Sequence, residues 1–310
     1  MNESMQTIWE KKSSLRTRPR RLLELADQSP YFFPMSKQPL CFHPLITDLG
    51  DEAVQYILIQ SAYKFMGDIA LIETDVVNTS ASKITNDKLS ISFPMPIRHD
   101  VLTVIMDEAY HAYVAIDFMQ QVEQATHVVP LEVICETGLS HAMKEIGKAL
   151  PLEQRGFFDV MAVCIGENSI TKELVNVTRD ANVNKFFNEV NEDHALDEGR
   201  HCGIFASVLT YLWEHITHDD RDIMSSVIPP FIYEYLKPDF QRDYNRKILT
   251  ELGLAAADID QIIYDTHIDY TPENFRLVNP IVENINKLFK RTGVFSHQKM
   301  VDSFQKSGLL

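Results

Sequence analysis

The sequence is short of several things, and each shortage removes a class of protein. No apolar run reaches about 18 residues, the least a bilayer-spanning helix needs. The first residues lack the apolar core of a secretory signal. Cysteine is scarce: Cys41, Cys135, Cys164 and Cys202 form no Cys-x-x-Cys pair. That excludes a disulfide framework and fits a reduced, cytoplasmic setting. Positive charge is scarce too, with 29 Lys+Arg against 44 Asp+Glu and a net charge of −15. Non-specific binding to nucleic acid or an anionic membrane is therefore not expected. Alternation of period two is nearly absent, so strands are not expected.

What is present is helical periodicity. The chain has 310 residues, enough for one large domain or two unequal ones. Residues 1–47 read as an irregular basic arm, with Arg16, Arg18, Arg20 and Arg21 lying on an acidic body. Apolar residues then recur at three and four from Asp51 to Asn78. A polar connection follows from Thr79 to Arg98 and ends in Phe-Pro-Met-Pro, which forbids helix there. About twenty structureless residues are unusual and would cover something. Further helices are expected over 99–126, 130–149, 152–180, 183–217 and 219–236, the last kinked at Pro229-Pro230. Shorter helical patterns follow near 239–252, 256–266, 272–292 and 296–308. The fold class is all-α: a ferritin-like long-helix bundle over 48–236, with additional C-terminal helices over 237–310 packed on it.

Four glutamates interrupt apolar stripes on these helices. Glu73 lies among Met66, Ile69, Ala70, Val76 and Val77. Glu108 lies among Val101, Val104, Ile105, Ala112 and Ala115. Glu167 lies among Val160, Val163, Cys164, Ile170 and Leu174. Glu198 lies among Ala195, Cys202 and Phe205. Each should point inward. An unpaired buried carboxylate costs several kcal/mol or shifts its pKa. Four of them in one core need shared positive charge, and few inward Lys or Arg are available. A pair of metal cations would supply it.

The histidines sharpen this reading. Glu108-Ala-Tyr-His111 and Glu198-Gly-Arg-His201 are both Glu-x-x-His, and His194 stands one turn before Glu198. The spacings of four and three place His194, Glu198 and His201 on one helix face. Glu-x-x-His is cheap alone and needs structural context. Here both copies lie on long helices, and two more helices each offer one inward Glu. That order is the ligand plan of di-iron and di-manganese carboxylate bundles. Mixed imidazole and carboxylate ligation suits iron or manganese better than a thiolate set does.

Over about residues 50–215 these spacings resemble the p-aminobenzoate N-oxygenase family typified by AurF. The third histidine, His194, carries the specificity of the resemblance. The resemblance implies seven ligands and two iron ions. Glu73 and His111 would be terminal on one iron. Glu167, His194 and His201 would serve the other, and Glu108 and Glu198 would bridge. It implies O2 as co-substrate, an external electron donor and a small-molecule amine substrate. That amine, aromatic or amino-acid-derived, would become a hydroxylamine, nitroso or nitro product in secondary-metabolite or antibiotic biosynthesis. A carrier-bound substrate and a homodimer also fit the family. Two alternatives stay open on sequence: a ferritin-like di-iron oxidase or oxygenase acting at carbon, and a non-enzymatic metal-binding bundle.

Other residues near the motifs have blander readings. Cys164 and Cys202 read as small wall residues. His215 lies fourteen residues past His201, about 21 Å at helical rise, so it cannot join the cluster. His127 and His141 read as exposed. Tyr110 and Tyr113 bracket His111 and are candidates for hydrogen bonds to the ligands. Met66, Phe118, Phe205 and Leu209 are core residues first and candidates for the substrate wall.

Overall fold

Four long helices form the frame: Asp51–Leu71, Met95–Thr126, Leu152–Val177 and Lys185–His215, here the first to fourth bundle helices. They are seen in a computed structural model that describes residues 4–24, 29–177, 180–268, 270–271 and 273–310; the side chains of 170–177 lie outside the description. The expected inward positions of Ile170 and Leu174 therefore lie outside it as well. Among the described residues there is no strand. The first bundle helix packs on the second, the third on the fourth, and the second on the fourth. The architecture is the all-α bundle that the periodicity implies.

The first bundle helix does not end near Asn78. Its backbone widens into a π-helical segment, Ile72–Val77, and continues as helix Asn78–Thr85. Such insertions keep the helix running while shifting its register, and they gather at functional sites. Glu73 lies inside this one. The expected long connection therefore shrinks. Phe-Pro-Met-Pro does not exclude helix but opens one: Pro94 is the N-cap and Pro96 sits in the first turn, where no backbone N–H is needed.

The helix expected over 130–149 is also shorter, spanning Gly138–Gly147. The residues before it form no regular element, and the first bundle helix satisfies part of their backbone. Buried Gln60 donates from Nε2 to the Val129 carbonyl at 2.8 Å and accepts the Leu131 N–H at 3.2 Å. Tyr63 donates its hydroxyl proton to the Val128 carbonyl at 2.8 Å. Gly67 lets the segment cross closely, since a Cβ there would stand 2.6 Å from the Ile134 side chain. A capping box of Thr137 and Ser140 then starts the helix.

The helix His218–Tyr235 runs through Pro229 and Pro230. Beyond it lie Asp239–Glu251, Ala256–Thr266, Phe275–Val278, Ile281–Arg291 and Gln298–Lys306. Phe275, Ile285, Phe289, Met300 and Phe304 join the same apolar cluster as Phe158, Phe205 and Leu209 of the bundle. The N-terminal arm is neither irregular nor wholly solvated. It forms helices Met5–Lys12 and Ser14–Thr17, and Trp9, Ser13 and Ser14 are buried against the second and fourth bundle helices.

Candidate metal centre

The bundle brings all seven expected residues together in its interior. Glu73, Glu108, His111, Glu167, His194, Glu198 and His201 are each at most 6% exposed. Their donor atoms fall into two overlapping groups, each spanning no more than 4.8 Å. One is Glu73, Glu108, His111, His194 and Glu198; the other is Glu108, Glu167, Glu198 and His201. Glu108 and Glu198 belong to both, the arrangement that two cations sharing bridging carboxylates would require.

His194 stands on the opposite side from the one the family resemblance implied. Its Nε2 lies 2.9 Å from Glu73 Oε1 and 3.3 Å from Glu198 Oε1. Its ring centroid is 4.0 Å from that of His111. It therefore groups with Glu73 and His111, and the second group keeps His201 as its histidine. The reason lies in position along the helix: His194 and His201 share a face but stand seven residues, about 10 Å of rise, apart, so His194 meets only the Glu73–His111 end of the cluster.

The donor set fits cations better than a hydrogen-bonded polar core. Glu73 Oε2, Glu198 Oε2 and His194 Nε2 are buried without a hydrogen-bond partner. Glu108 Oε1 is likewise without one, although His201 Nδ1 is only 2.9 Å away. Close approach without hydrogen-bond geometry is what donor atoms show when they face a common point. Burial raises the Glu73 carboxyl to about 7, although His194 opposes it. Burial also pushes Glu167 well above the carboxylate range, with Glu198 and Glu108 adding to the effect. Burial opposes charge on His111 and His201, but the surrounding carboxylates outweigh it and hold both imidazoles well above their ordinary pKa. Without metal, protons supply the positive charge that the carboxylates demand.

The outer nitrogens of two histidines are held by aspartates from across the bundle. His111 Nε2 lies 3.0 Å from Asp197 Oδ2, and His201 Nε2 lies 3.2 Å from Asp107 Oδ2. Donation of Nε2–H to these carboxylates leaves Nδ1 of each ring as the inward donor. Arg200 ties the two aspartates together, with contacts of 2.7 Å to each. The N-terminal arm completes the belt. Trp9 and Ser13 donate to Asp107 at 2.8 and 2.6 Å, and Ser14 donates to Asp197 through its backbone and hydroxyl. Burial opposes charge on both aspartates, but His201 and then Ser13 for Asp107, and His111 and then Ser14 and Arg200 for Asp197, hold them below the usual carboxylate range.

Sequence reasoning missed Asp107, Asp197 and Arg200. A signal existed: both motifs are Asp-Glu-x-x-His. Tyr110 and Tyr113 do not fill that role. Tyr110 lines a small space beside His111, and Tyr113 is 56% exposed. Cys164 Sγ and Cys202 Sγ lie against the carbonyls of Phe205 and Glu167, outside both donor groups. His127 and His215 are exposed, whereas His141 is half-buried against Phe240.

Two cavities reach the cluster. One, of about 30 Å³, holds little more than a water molecule; it touches His111 and His194 and is roofed by Ser14 and the stretch from Arg18 to Arg21. The other, of about 210 Å³, ends on Glu73. Of the expected substrate-wall residues, Met66 lines the small space, and Phe118 stacks behind Phe186 at 5.0 Å. Phe205 and Leu209 are fully packed in the main core and line neither cavity. The larger cavity is walled instead by the first bundle helix and its π-helical segment, by Thr137–Leu139 and by Tyr235, Lys237, Phe240 and Gln241, which the ligand spacing could not locate.

No curated protein gives a significant match to this chain. A family model does: that of p-aminobenzoate N-oxygenase AurF matches residues 19–292 of the 310. The match takes in every residue of the buried cluster and most of the C-terminal helices. Fold, seven-residue cluster and family model agree, and the chain belongs to the p-aminobenzoate N-oxygenase AurF family, a family of oxygenases.

Proposed function

We propose that this protein is a di-iron N-oxygenase that uses O2 to oxidise the nitrogen of a small-molecule amine. The observation that carries the reading is the pair of overlapping donor groups sharing Glu108 and Glu198, in a chain of the AurF family. Glu73, His111 and His194 would hold one iron, Glu167 and His201 the other, with Glu108 and Glu198 between them. Bound iron would supply the site's capacity to activate O2. In the first oxidation one oxygen atom enters the N–H bond to give a hydroxylamine. The other leaves as water, with two electrons from an external donor and two protons.

The chain's own residues do the rest. Asp107 and Asp197 fix the tautomer and orientation of His201 and His111. The apolar shell around the cluster keeps bulk water away. The cavity that ends on Glu73 admits the amine. The test is anaerobic reduction of iron-loaded protein, addition of an arylamine and O2, and detection of the N-oxygenated product. A protein that holds two irons and consumes O2 yet leaves the amine unchanged, oxidising carbon instead, contradicts this reading.

A further inference from the structure

The 210 Å³ cavity carries a charged pair that the metal cluster does not use. It runs along the first bundle helix and passes Lys64, Phe65 and Asp68 before reaching Glu73; Leu139 and Phe240 close it from other elements. Lys64 is only 6% exposed. Its ammonium gives two of its three N–H donors to Asp68, at 2.6 and 2.5 Å. One donor of Lys64 and two acceptor positions of Asp68 remain available to a group entering the cavity. Burial raises the Asp68 carboxyl, and Lys64 only partly offsets it. Asp68 is half-buried and lines the cavity, so a second positive group entering there would meet it beside Lys64.

A ligand that serves both partners carries a carboxylate for Lys64 and an ammonium for Asp68 on adjacent atoms. That is the head of an α-amino acid. It closes a ring of alternating charge: Lys64 to Asp68, Asp68 to ligand ammonium, ligand carboxylate back to Lys64. Asp68 and Glu73 both line the cavity, five residues apart and about 7.5 Å along the helix axis. A lysine or 4-aminophenyl side chain is long enough to extend from one toward the other. The walls along that path, Phe65, Ile69, Ile72 and Leu139, are apolar.

We propose that the cavity binds a free α-amino acid whose side chain ends in an amine, with its head on Lys64 and Asp68 and its side-chain nitrogen at the Glu73 end. This rests on the N-oxygenase reading and specifies its substrate class. A simple arylamine or a carboxylate-only amine would leave Asp68 unserved.

The test is calorimetric titration of reduced, iron-loaded protein without O2. Three ligands share one 4-aminophenyl end: 4-aminophenylalanine, 3-(4-aminophenyl)propanoate and 4-aminophenethylamine. The amino acid should bind tighter than either single-charge analogue by about ten-fold or more, the worth of one charge-assisted hydrogen bond. In Asp68→Asn its advantage over the propanoate should disappear. In Lys64→Met its advantage over the phenethylamine should disappear. Equal affinity for all three, tightest binding of the propanoate, or no binding of any overturns the proposal. The comparison in the unmodified protein stands even if a variant fails to fold. Iron counts and product analysis on the same samples keep the outcomes apart. Two irons and N-oxygenated product without a zwitterion preference overturn the substrate class alone.

Discussion

Asp197 reaches across the bundle to hold His111 Nε2 at 3.0 Å. Asp107 does the same for His201 from the opposite helix, so each Glu-x-x-His histidine is oriented by the aspartate that precedes the other motif. Neutralising either aspartate replaces the charged acceptor that fixes a ligand ring by a weaker amide oxygen and an NH2 that can only donate. Asp197→Asn should keep the fold and weaken metal binding by about 10- to 100-fold, the usual cost of losing such a partner. Competition with a chelator of known affinity measures it. Unchanged affinity would show that the ring is positioned by packing alone.

The arm contributes to the same belt. Ser14 gives Asp197 both a hydroxyl and a backbone N–H. Ser14→Ala removes one hydrogen bond to a buried charge and should cost about 1.5–3 kcal/mol. Urea unfolding of the iron-loaded protein reads the loss. A change within error would mean that the arm lies on the bundle without supporting it.

His194 belongs with Glu73 and His111, so its loss should fall on one metal position. His194→Ala should still bind two irons, but the one on the Glu73 side should leave faster on chelation. Chelation traces should become biphasic, with only one phase accelerated relative to wild type. Equal acceleration of both phases, or none, contradicts the grouping.

Removing metal should invert the pH dependence of stability between pH 5 and 7.5. In the metal-free protein Glu73 is raised to about 7, and Glu167 is raised well above the ordinary carboxylate value, both chiefly by burial. The folded state then binds more protons than the unfolded one above the ordinary carboxylate pKa, so stability falls as pH rises. His111 and His201, held above their ordinary pKa, act in the same sense: their contribution is full below the unfolded value and is lost as pH rises through the folded one. Glu198 is shifted the other way, but its loss of stability lies at pH below this window. Metal replaces these protons, so the iron-loaded protein should not show the decline. Melting temperatures of both forms across the window test this. A metal-free protein that gains stability toward pH 7.5 would contradict the clustering.

The helices and the seven buried donors were legible because both depend on periodicity within single helices. Glu73, Glu108, Glu167 and Glu198 each break an apolar stripe, and a stripe is a local pattern. What failed was set by contacts between elements. The π-helical segment at Ile72–Val77 leaves no trace in spacing. The irregular stretch before Gly138 has part of its backbone satisfied by Gln60 and Tyr63, about seventy residues earlier in the chain. The side on which His194 falls depends on the height at which the fourth bundle helix packs against the first and second, since His194 and His201 share one face about 10 Å apart along the axis. Phe205 and Leu209 follow the ligand spacing yet face the main core, because the cavity opens on the first bundle helix instead.

The central claim is that two cations share Glu108 and Glu198. Iron counted per chain, in wild type and four variants grown in iron-rich medium, tests it most directly. Wild type should carry two irons. Glu108→Ala and Glu198→Ala should lose both, because each removes a donor common to the two groups. Glu73→Ala and Glu167→Ala should each retain about one, because each removes a donor from a single group. One metal in wild type, zinc in place of iron, or two irons retained after loss of a shared glutamate would contradict the account.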